Sequence, residues 1–124
     1  MDSGDLRGWV DAYRAELVAM DSLSLLGRDR ARQWNRHAEM MQHAHLELRS
    51  TLTGRASITE MIADDVPTVA LWSAAHALFW AEPQARAYLM ARAASGGAGS
   101  LEAKTTLQEF DAGRLKTDWR PKAR

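Results

Sequence analysis

Apolar residues recur along this chain at intervals of three and four, the period of a helix with one buried face. Leu6, Trp9, Val10, Tyr13, Leu17 and Met20 form the first such stripe, with Asp5 placed to cap its start and Gly27 to stop it. A second stripe, Trp34, Ala38, Met41, His45, Leu48 and Leu52, steps by four and three in alternation and predicts a helix that packs along a neighbour and ends at Gly54. Ser57-Ile-Thr-Glu60 has the form of a capping box, which predicts a short third helix through Ile58, Met61 and Ile62.

Pro67 suits the first turn of a fourth helix, with Asp64 and Asp65 near its positive end. Val69 to Trp80 is apolar nearly all round, so this helix is expected to be the most buried. Glu82-Pro83 repeats the start signal for a fifth helix with Ala85, Tyr88, Leu89 and Ala93 inward, broken by Gly96, Gly97 and Gly99. Ser100 is placed to cap a sixth helix carrying Leu101, Leu107 and Phe110, which stops at Gly113. No run alternates with period two, so no sheet is expected. The reading is all-α, with five or six antiparallel helices joined by short connections.

A chain of 124 residues is long enough to bury a core without metal or disulfide, and one domain over 1–113 with a basic, mobile tail over 114–124 is the expected organisation. Composition is ordinary for a globular protein, which excludes a disordered or membrane-spanning class. The acidic start lacks the features of a secretory signal, and the sequence has no cysteine, so the cytoplasm is the expected compartment. Net charge is zero, yet charge is sorted along the chain. Arg28, Arg30, Arg32 and Arg36 crowd one stretch, Glu60, Asp64 and Asp65 another, and Arg114, Lys116, Arg120, Lys122 and Arg124 the tail. Sorted charge can orient a molecule on a charged partner, while overall neutrality gives no general attraction to nucleic acid.

Four sequence features offer chemistry. His37, His43, His45 and His76 with Glu39 and Glu47 are the one candidate metal set, but no His-x-x-x-His pair builds a site on one helix face, and packing explains them better. Gly96 to Ser100 precedes a helix as an anion-binding loop would, but lacks the strand before it and the Lys-Ser/Thr after it. Asp64 and Asp65 are explained by their place at a helix start, and no nucleophile elbow or cysteine nucleophile is present. The five tryptophans exceed what a core of this size needs; Trp9 and Trp34 fit inward stripes, whereas Trp72 with Arg32 or Arg36 could belong to a contact surface.

The Asp-rich turn leading into Val69 and its run of Ala and Leu resembles the HEAT and armadillo class of α-solenoids. The segments 69–76, 83–89, 93–97 and 106–115 look like a small bacterial domain-of-unknown-function family with that fold. Two positions depart from the pattern: Ala70 stands where such helices often carry Arg, and Val66 where a capping Asn or Asp is expected. The resemblance implies a right-handed helical stack with a groove lined by the second, fourth and sixth helices. It also implies the role of an immunity protein, which neutralises a cognate toxin by binding it. The expected contact positions are Arg28, Arg32, Arg36, Asp64, Asp65 and Trp72, with no catalysis, cofactor or metal. A nucleic-acid binder using the second-helix arginines and the basic tail is the alternative.

Overall fold

The computed structural model describes residues 3–23 and 29–121, with side chains from Asp5 onward. Within them the chain is all-helical, with six α-helices, one 3-10 turn and no strand. The helices are α1 (Ser3–Asp21), α2 (Arg30–Arg49), α3 (Leu52–Glu60), α4 (Pro67–Ala77), α5 (Glu82–Ser95) and α6 (Ser100–Asp111), with the 3-10 turn at Met61–Ala63. They form two compact units, Met1–Ser57 with Asp118–Arg124, and Ile58–Thr117.

In the first unit α1 lies along α2. Tyr13, Leu17 and Met20 from α1 and Met41, His45 and Leu48 from α2 are buried, and these are inner positions that the period of three and four picks out. The Glu16 carboxylate meets His37 Nδ1 at 2.5 Å, joining the two helices by a half-buried polar contact. Gly27 lies outside the described residues, and α1 ends at Asp21.

The junction of α2 and α3 differs from the sequence expectation. Gly54 does not end the second helix. It sits in the first turn of α3, where an added Cβ would lie 1.9 Å from the Leu48 carbonyl oxygen. Only a residue without a side chain lets the two backbones approach so closely. The cap is Thr51, whose hydroxyl accepts the Gly54 N–H at 3.0 Å, and Ser57 is inside the helix with its hydroxyl donating to the Thr53 carbonyl. Leu52, expected on the inner seam, is therefore on a new helix and exposed.

The second unit has its own core of Ile62, Ala74, Ala77, Leu78, Ala85, Leu89 and Ala103, with Leu107, Phe110 and Leu115 packed against it. Small residues on α4 and α5 allow close helix approach, and the half-buried Trp80 donates its indole N–H to the Thr59 hydroxyl at 3.0 Å. Pro67 is in the first turn of α4, as the sequence suggests. Gly96 ends α5 in the left-handed conformation, φ 71°. At α6 the expectation fails in detail: Gly99 is the cap position, Ser100 is already helical, and Leu101 faces solvent while Ala103 takes the inner place. The Glu109 carbonyl accepts from the Arg114 and Leu115 amides, which closes the end of α6 beyond Gly113. Arg86 binds Asp111 at 2.6 Å and Glu82 at 3.1 Å, tying α5 to α6 at the surface.

Candidate functional site

The outer face of α2 holds one continuous stripe. Arg32, Arg36, Met40, His43 and Glu47 follow one another at spacings of four, four, three and four, so their side chains project on one side of the helix. The first four are exposed and Glu47 is partly so. Among the described residues the side chains of Arg32 and Arg36 have neither a hydrogen bond nor an ion pair. His43 lies with its ring 5.2 Å from Trp9, edge to face, which steadies the middle of the stripe.

At its C-terminal end the stripe runs into an open depression of about 580 Å³, lined by His43, Leu46, Glu47, Arg49, Asp118 and Arg120. Acidic and basic groups face each other across it, three from α2 and two from the segment after α6. That segment is held from below by a polar side chain. Gln42 is fully buried, and its Nε2 donates to the Trp119 carbonyl oxygen at 2.7 Å. This fixes the amide so that Oε1 faces His45 Nδ1, 3.0 Å away. An amide oxygen can only accept, so His45 carries a proton on Nδ1. Burial, then the nearby Arg49 charge, push its pKa down to about 3, against an opposing pull from Asp118. Burial also lowers the Arg49 pKa, and Asp118 opposes that shift as well.

The described positions expected from sequence fall in both units. Arg32 and Arg36 are together on α2, and Arg28 lies outside the described residues. Asp64, Asp65 and Trp72 belong to the other unit. Asp64 is engaged locally, its Oδ1 accepting the Val66 N–H at 2.9 Å ahead of α4, and Asp65 is exposed. Trp72 is half-buried with its ring 6.0 Å from that of His76. Among the described residues no three His, Asp or Glu side chains come close enough to hold a metal ion. Gln42, Asp118 and Trp119 were not legible as a set: Gln42 and Trp119 are 77 residues apart, and no local pattern links them. The one available signal is a glutamine next to the inward stripe of a helix, a polar group that must find a partner if buried.

No family model, curated protein or solved structure matches this chain. Among the described residues no helix is long and apolar enough to cross a membrane.

Proposed function

We propose that this chain is a non-catalytic module that binds another protein, using the outer face of α2 as its principal contact surface. The observation that carries the reading is the exposed stripe from Arg32 to Glu47, whose two arginine side chains engage nothing among the described residues. Ordering two long charged side chains costs entropy, and a partner carboxylate that accepts from both planar guanidinium groups offsets it. The sequence resemblance narrows the reading further: a HEAT-like helical stack serving as an immunity protein, with Arg28, Asp64, Asp65 and Trp72 as further contacts to a cognate toxin.

The test is co-purification with the product of a neighbouring gene, followed by titration of the retained partner. Reversing Arg32 and Arg36 to Glu is expected to weaken binding by 10-fold or more, on the scale of about 1–2 kcal/mol for each desolvated arginine contact. Unchanged affinity in that double variant together with Trp72→Ala would remove this surface from consideration. The exposed arginines equally suit phosphate, which gives the alternative of a nucleic-acid binder. Glu47 and Asp118 at the end of the stripe disfavour it. Affinity falling by about 10³ between low and moderate salt would reverse that preference.

A further inference from the structure

We propose that the C-terminal half of α2 docks a peptide segment through the buried Gln42 amide, and that residues 118–121 hold that position as a built-in competitor. The proposal deepens the protein-binding reading by naming the chemistry of the segment a partner would offer. Three observations carry it. The contact recognises main chain: the buried Gln42 amide donates to the Trp119 carbonyl, while the Trp119 side chain remains 40% exposed. A donor placed for a backbone carbonyl accepts any residue at that position, so another segment can take the same bond.

The second observation is the charge around that carbonyl. Asp118, immediately before it, lines the same depression as Arg49, and Arg120, immediately after it, lines it with Glu47. The segment that fits therefore carries an acidic residue before the carbonyl and a basic residue after it. The third observation is the form of the present occupant. Residues 114–120 have no regular secondary structure, and Gly113, with φ 74°, turns the chain out of α6 into them. A short tether after a left-handed glycine holds its end near the Gln42 amide at an effective concentration on the order of millimolar. A partner segment must outcompete that concentration, so its apparent affinity is reduced by the fraction of time the amide is free.

This competition gives a test that a purely structural tail would not pass. A fluorescein-labelled synthetic peptide copying residues 115–121 is titrated into the full chain, its Asp118→Lys variant, and Asp118→Lys combined with Gln42→Leu. Placing Lys beside Arg49 weakens the tethered segment and leaves the α2 wall intact, so Asp118→Lys is expected to bind the peptide at least about 10-fold more tightly than the unaltered chain. Adding Gln42→Leu is expected to abolish that gain. No tightening in a folded Asp118→Lys variant, or tightening that survives Gln42→Leu, would overturn the proposal.

Should Asp118→Lys fail to fold, the unaltered chain decides the matter through the Trp119 indole resonance under peptide at several millimolar. A shift to the position of a free segment supports displacement, and no shift overturns it. Failure here would leave the protein-binding reading intact, because no partner protein is involved. Conversely, failure to retain a partner would leave the docking position untouched.

Discussion

His45 shows how one buried residue couples stability to pH. It has no exposed surface and is neutral in the folded chain, with its pKa lowered to about 3 chiefly by burial, whereas an unfolded histidine titrates near its ordinary value of 6.5. Between those two values the unfolded chain binds the extra proton, so stability rises with pH across this window. The contribution is fully present above about 6.5 and is lost progressively as pH falls toward 3. Its upper limit is roughly 5 kcal/mol. His45→Asn keeps an amide donor where Nδ1 stands and removes the titrating group. Urea midpoints measured from pH 7 down to pH 4 should therefore fall less steeply in the variant, by up to one proton's slope. Parallel pH profiles would show that protonation of His45 is not resisted by the fold.

At the scale of elements, two glycines that the sequence places alike at helix ends have different duties. Gly96 needs only its left-handed conformation, since nothing lies within 4 Å of an added Cβ, and Gly96→Ala should cost about 1 kcal/mol in thermal or urea unfolding. Gly54 is held where an added Cβ would strike the Leu48 carbonyl, a backbone atom that cannot rotate away. Gly54→Ala should cost roughly 3 kcal/mol or more, because α2 and α3 must separate. A Gly54→Ala cost no larger than that of Gly96→Ala would refute the close-approach account. The contrast also explains what could be read from sequence. Glycine after a long apolar period was legible as a helix end at Gly96, where the cause is local dihedral preference. At Gly54 the cause is the approach of another segment, and Ser57 and Ser100 were misplaced as caps for a similar reason: several hydroxyls near a helix start are equivalent until packing selects one. The inward faces of α1, α2 and α5 were legible because burial follows the helical period, with Leu52 and Leu101 lost where helix boundaries shifted.

Across the whole molecule, what sequence could not supply is how distant segments share one compact unit. Periodicity assigns helices and faces one at a time, and the exposed arginines of α2 follow from it directly. It says nothing of residues 118–121 returning to the unit formed by residues 1–57 after the 58–117 unit has intervened. That return makes the last described residues part of the first unit's polar interior through the bond from Gln42 to the Trp119 carbonyl. Ending the chain after Thr117 removes that acceptor from a fully buried amide nitrogen, at a cost of about 1–3 kcal/mol. It also removes Asp118, the charge that opposes the lowered pKa of His45 and Arg49. The shortened chain should melt lower by about 5–15 °C at pH 7. Equal melting temperatures at pH 7 would mean that Gln42 meets its hydrogen-bonding needs without the C-terminal segment, and that the segment contributes nothing to the first unit.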